Sequence, residues 1–139
     1  MASWRDTAGP QVQADLDALL TAALTTAEQS LRDAGGFLPF AVARTYDGED
    51  QLVNVAVTGA ETDAQELLGS LWQSLTEHSG DFRAAGVVTD RTADDGDRVA
   101  VQLEHADGPA IEITLPYRLV DGSFEPGDLA AGEGIARIW

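Results

Sequence analysis

At 139 residues, with 44% hydrophobic side chains, the chain is long enough to bury a core of its own, and no stretch approaches the ~18 apolar residues of a membrane span. Its formal charge of -16 arises from 24 acidic residues against eight basic ones, all of them arginine, and such a field repels phosphate backbones and anionic lipid. The absence of cysteine excludes disulfides and thiolate chemistry.

The opening Met1-Ala2-Ser3-Trp4-Arg5-Asp6 has neither a basic n-region nor an apolar h-region, which predicts a cytoplasmic protein without a signal peptide. Residues 1–9 are polar and expected to be flexible. Pro10 suits the first turn of a helix. From there Val12, Leu16, Leu19, Leu20, Ala23, Leu24, Ala27 and Leu31 recur at steps of three and four, a single helical face. Gly35-Gly36 stops it. Phe37 to Tyr46 and Leu52 to Val57 then read as two strands joined by a turn at Asp47-Gly48-Glu49-Asp50. On the first, Leu38, Phe40, Val42 and Tyr46 share a face; on the second, Val53, Val55 and Val57 do.

Thr62 and Gln65 have capping-box spacing and open a second helix, with Leu67, Leu68, Leu71, Trp72 and Leu75 on its apolar stripe and Gly80 at its end. Three strands follow: Phe82 to Asp90, a segment around Val99, Val101 and Leu103, and the regular alternation Ile111, Ile113, Leu115, Tyr117, Leu119. Pro116 has no N–H for a ladder and predicts an edge or a bulge. The order α-β-β-α-β-β-β predicts an α+β domain spanning 1–139: a five-stranded antiparallel sheet with both helices on one face. The other face, with Ala41, Ala43, Asn54, Gln102, Glu104, Glu112, Thr114 and Arg118, is left for water, a tail or a partner. An echo between Ser30-Leu31, Gly36, Phe37, Asp47-Gly48 and Ser74-Leu75, Gly80, Phe82, Asp95-Gly96 suggests a tandem αββ repeat. Residues 121–139 hold four glycines and Pro126, which predicts an extended tail whose apolar end, Ile135-Ala136-Arg137-Ile138-Trp139, needs a dock.

No constellation on this frame points to chemistry. His78, in the last turn of the second helix, suits the helix dipole. His105 continues the register of Val99, Val101 and Leu103 and is expected to be half-buried. Twenty-seven residues apart and without a third ligand, the two do not make a zinc site. Asp90, Asp94, Asp95 and Asp97 lack the alternate spacing of a calcium loop, and with Asp47, Glu49 and Asp50 they read as solvated turns. Glu104 and Glu112 lie on adjoining strands, where Arg98 and Arg118 are available to offset them. Catalysis would require Glu104, Glu112 or His105 to converge in a cleft. No cofactor or metal is expected.

The residues singled out for binding are Phe37, Pro39, Tyr117, Arg118, Phe124, Arg137 and Trp139: four aromatics, a proline and two cations. The expected function is a non-enzymatic interaction or regulatory domain whose partner is another protein or a second copy of itself, with no nucleic acid and no membrane. The alternative is a small-ligand pocket between the sheet and the tail, lined by Phe37, Tyr117 and Trp139.

The arginine-only basic set, with abundant Ala, Gly and Asp, resembles the usage of GC-rich bacterial genomes. The element order is similar to roadblock and profilin-like folds, a likeness that implies dimerisation and scaffolding or regulation of small GTPases. Gly36-Phe37-Leu38-Pro39-Phe40-Ala41, together with Leu115-Pro116-Tyr117-Arg118 and Ile135-Ala136-Arg137-Ile138-Trp139, looks like a family of small, uncharacterised bacterial proteins; it implies no activity.

Overall fold

The computed structural model describes residues 9–34, 39–53, 64–93, 96–108, 110–121, 123–134 and 138. Two helices, α1 (Pro10–Ala34) and α2 (Ala64–Glu77), accompany seven strands: β1 (Phe40–Thr45), β2 (Asp50–Val53), β3 (Phe82–Ala93), β4 (Gly96–His105), β5 (Ala110–Val120), β6 (Ser123–Pro126) and β7 (Ala130–Glu133). A short 3-10 turn, Ser79–Asp81, leads into β3. The sheet is antiparallel throughout, in the order β2-β1-β3-β4-β5-β6, with β7 also on β5.

The period-three-and-four stripe of α1 is its buried face. Val12, Leu16, Leu19, Ala23, Ala27 and Leu31 pack with Phe40, Val42, Val88, Val101, Leu103, Ile111 and Ile113 in the larger core. A helix of 25 residues is about 38 Å long, and it touches β1, β2, β3, β4 and β6, so the sheet curls around it. Gly86 lies at the centre of β3 with no room for a side chain: a Cβ there would stand 2.4 Å from Leu103 Cδ2 and 2.6 Å from the Gln102 carbonyl oxygen.

The two helices lie on opposite faces, contrary to the arrangement the pattern suggests. Ala41, Ala43, Ala85 and Val87 alternate with Phe40, Val42, Ala84 and Val88, and they pack with Leu67, Leu71 and Leu75 of α2 in a second core. The small side chains of Ala41, Ala43 and Ala85 leave the space that a helix fills. This placement also counts against a tandem repeat. A rotation that exchanges the antiparallel neighbours β1 and β3 leaves each face of the sheet where it was, whereas α1 and α2 occupy different faces.

The count of seven strands rather than five comes from the C-terminal segment. Val120 and Ser123 are register partners, so the chain reverses just after Val120, where Asp121 has φ +50°. The sequence after it pairs along β5, first as β6 against Tyr117 to Val120 and then as β7 against Ile111 to Thr114. Several further expectations concern single elements. Tyr46 is an exposed turn residue, and β3 runs on to Ala93. The expected continuation of β2 to Val57, the cap at Thr62, and Gly35, Gly36 and Leu38 lie outside the described residues.

Candidate functional site

The densest polar cluster sits under α1. Asp15 lies on the apolar stripe, between Val12 and Leu19, and is fully buried. Its Oδ1 accepts hydrogen bonds from Arg83 Nη2 at 2.9 Å and Gln11 Nε2 at 3.0 Å. Arg44 Nε stands 3.0 Å from the same oxygen as an ion pair, although its N–H is not aligned for a hydrogen bond. Arg44 also reaches Asp50 at 2.8 Å, and Arg83 Nη1 donates to the Tyr46 carbonyl at 3.1 Å. A bulge aims Arg83 at this cluster. Arg44 pairs with Ala84 but Thr45 with Phe82, so residue 83 is the extra one, and its side chain turns towards α1.

His105 completes the cluster from β4, with Nε2 at 2.8 Å from Asp15 Oδ2. The Asp107 backbone N–H donates to His105 Nδ1 at 3.0 Å, so Nδ1 carries no proton and Nε2–H donates to the carboxylate. Burial pushes the Asp15 carboxyl up. The hydrogen bonds from His105, Gln11 and Arg83, and the Arg83 charge, outweigh it and hold the group below the usual carboxylate range. Both His105 nitrogens are occupied and the ring is buried rather than half-buried, so the cluster ties α1 to β1, β3 and β4.

The three groups on which catalysis would depend do not converge. His105 faces α1, while Glu104, its neighbour on β4, points to the α2 side. There the buried Glu104 carboxylate accepts the Ile138 backbone N–H at 3.0 Å. Ile138 itself packs among Ala41, Ala43, Leu71, Leu75 and Val87. Glu112 is opposite Gln102, and its carboxylate pairs with Arg91 at 3.2 Å. His78 lies just beyond α2, exposed, 3.9 Å from Asp81. Among the described residues no three His, Cys, Asp or Glu are grouped to hold a metal ion, and no helix is long and apolar enough to cross a membrane.

A cleft of about 640 Å³ opens at the other end of the sheet, lined by residues 96–98, 116–118 and 125–127. Its origin is local. Gly127 N–H donates to the Pro116 carbonyl at 2.7 Å, but Pro116 has no N–H to return the bond, and the outer strand leaves the ladder there. It rejoins at Ala130, so three residues, Gly127, Asp128 and Leu129, span what Leu115 and Pro116 span on β5. The proline thus marks a bulge in its partner, β5 itself having neighbours on both sides. Arg98 and Arg118 line this cleft from the side of the sheet opposite α1.

Of the residues singled out for binding, Tyr117 and Arg118 line the cleft. Tyr117 is mostly a core residue: its hydroxyl donates to Asp90 Oδ1 at 2.6 Å, and burial, then the Asp90 hydrogen bond and the charges of Asp90 and Asp97, push its phenol far above the ordinary range. Phe124 is half-buried against it, ring centroids 5.6 Å apart, packed onto the core rather than into the cleft. Pro39 is half-buried at the start of β1 and is not part of the cleft lining. Phe37, Arg137 and Trp139 lie outside the described residues, as do Trp4, Asp94 and Asp95. Asp15 was legible as a carboxylate on an apolar stripe, and Asp121-Gly122 as the same hairpin signal found at Asp47-Gly48.

No protein-family model, curated protein or solved structure matches the chain. The two resemblances noted above therefore carry no functional argument.

Proposed function

We propose that the chain is a non-catalytic binding domain that engages a protein partner at the half of its sheet that bears Arg98, Pro116 and Arg118, beside the cleft. One observation supports this most. On the side opposite α1, α2 lies over β1 and β3, and among the described residues no helix packs chiefly on the stretch of β4 and β5 bearing Arg98, Pro116 and Arg118, where Pro116 and Arg118 are exposed. Open polar surface next to a broken outer strand gives a partner both side chains and backbone to contact. The cleft has the volume of a small-molecule site, but its charged lining of Asp97, Arg98, Arg118 and Glu125 is unlike the apolar wall that buries a compact ligand. The occupied nitrogens of His105 and the separation of Glu104 and Glu112 from it favour binding over catalysis.

The test is a comparative pull-down from the native host, with wild type and an Arg98→Glu/Arg118→Glu variant shown to be folded by circular dichroism. Wild type is expected to retain a partner that the variant loses. Sedimentation of the two proteins asks the same question of a second copy. Identical captured proteins and identical sedimentation for both would remove the proposal.

A further inference from the structure

The outer edge of the sheet, β6 and β7, is exposed from Ser123 to Glu133 apart from half-buried Phe124. Among the described residues no strand pairs beyond it. Ladder geometry fixes which backbone groups this edge presents. Gly134 N–H donates to the Ala110 carbonyl, and hydrogen-bonded pairs recur at every second residue of an antiparallel ladder. Gly132 opposite Glu112 and Ala130 opposite Thr114 therefore face β5, while the N–H and C=O of Ala131 and Glu133 face outward. By the same alternation, counted from Gly127 N–H and the Pro116 carbonyl, Phe124 and Pro126 face outward on β6, and Pro126 has no N–H to offer. The edge open to pairing is thus β7. Its side chains leave room for another backbone: Ala130, Ala131 and Gly132 carry at most a methyl group, and nothing stands within 4 Å of the place a Gly132 Cβ would take.

We infer that this edge takes up a basic polypeptide segment in extended conformation, paired as an added strand on β7, a reading that rests on the binding role proposed above and gives its partner a chemistry. The charge pattern selects the occupant. Residues 119–134 hold four acidic side chains, Asp121, Glu125, Asp128 and Glu133, all exposed, and no basic one. The cation beside them, Arg118, is the register partner of Glu125, at the β6 end. At β7, Glu133 lies opposite Ile111, and Asp128 sits in the bulge beside Leu115 and Pro116. Backbone pairing gives such a segment its affinity, and its lysine or arginine side chains reach Asp128 and Glu133. Leu129, 54% exposed between Asp128 and Ala130, offers an apolar contact beside the charges. The net charge of -16 draws a basic segment in and repels a second copy of the chain. Short strands, bulges and prolines are the devices by which sheet edges avoid pairing. Here the proline and the bulge guard β6 and residues 127–129, and β7 beyond them carries neither.

Fluorescence anisotropy with a labelled octapeptide of alternating Lys and Val tests this. The controls are a Glu-Val octapeptide and a Lys-Val octapeptide N-methylated at every residue, which keeps the charge but has no N–H for strand pairing. Wild type is expected to bind the unmethylated lysine peptide saturably, less tightly as sodium chloride is raised, and to bind both controls at least about tenfold more weakly. Hydrogen exchange at the Ala131 and Glu133 amides is expected to slow when it binds. Ala131→Pro removes an outward N–H and leaves the pairs that face β5, so it is expected to weaken binding by at least about tenfold. Asp128→Asn/Glu133→Gln, at exposed positions, is expected to weaken it in part with the fold intact. Absence of saturable binding, equal affinity for the methylated peptide, or unchanged affinity in both variants overturns the inference. A dimer in sedimentation that Ala131→Pro dissociates overturns it as well, since the edge then belongs to a second copy. A partner captured by wild type and lost by Arg98→Glu/Arg118→Glu, with no affinity for the lysine peptide, overturns it too, and leaves the binding-domain reading standing.

Discussion

Asp15 holds four side chains from three other places in the chain and its own helix turn, so its loss removes the carboxylate facing half-buried Arg83 and leaves Arg44 with Asp50 alone. Asp15→Ala is expected to lower stability by about 3–5 kcal/mol, because uncompensated buried charge costs more than the pair itself contributes. Asp15→Asn keeps the shape but not the charge and should be nearly as damaging; urea unfolding within about 0.5 kcal/mol of wild type for both would show that the cluster is dispensable. The same residue sets a pH dependence. The unfolded chain takes a proton on this carboxyl near pH 3.8, whereas the folded chain resists it to lower pH. Its stabilising contribution is therefore complete above the unfolded value and is lost as pH falls from there through the folded pKa. In an acid titration followed by circular dichroism, the difference between wild type and Asp15→Asn should shrink below about pH 4. A gap that persists to pH 2 would contradict the assignment.

The C-terminal segment behaves as an element of the sheet rather than an appendage. Gly134 is held against β5 by its N–H to the Ala110 carbonyl at 3.0 Å, and a Cβ there would lie 2.8 Å from Ile111 C and 2.9 Å from Ile111 N. Since these are backbone atoms, Gly134→Ala must lift the segment, at a cost of about 1–3 kcal/mol. Ile138→Ala removes a buried side chain from the α2 core, at about 2–5 kcal/mol. The two changes act on one docked segment, so their combination should fall short of the sum. Chemical denaturation of the two single variants and the double variant measures this; wild-type stability on removal of residues 124–139 would mean that the segment contributes nothing. Pro116 announced an interruption, but the segment from Asp121 was expected to be an extended tail, although Asp121-Gly122 carries the same Asp-Gly pair that was read as a turn at Asp47-Gly48. Pairing of Ala130-Ala131-Gly132-Glu133 could not be read, since small residues without alternation give no strand signal and are held here by β5's backbone.

At the scale of the whole molecule, charge is the dominant feature. A net charge of -16 on 139 residues repels itself in the folded state, and more so when salt is scarce. Raising ionic strength from about 0.01 M to 0.15 M shortens the screening length from about 30 Å to about 8 Å, and should raise Tm by several degrees. The Asp15 cluster, being buried, is screened little and should not offset that gain. A Tm that is flat or falls over this range would indicate that attractive surface pairs already balance the repulsion.

What the chain alone determined was local: where its helices and most of its strands lie, which side chains of each are apolar, and where its turns fall. Those follow from period and from the conformational habits of glycine and proline, which act over a few residues. The tertiary structure decided what covers each face. Phe40 and Val42 alternate with Ala41 and Ala43, and both sets are buried, yet only the packing of α1 and α2 on opposite sides makes that so. Asp15, Arg44, Arg83 and His105 span 90 residues, and their union depends on a bulge at residue 83 and a curled sheet. Contacts at such separations are chosen by the global fit of apolar volumes and buried charges, which no short window of sequence contains.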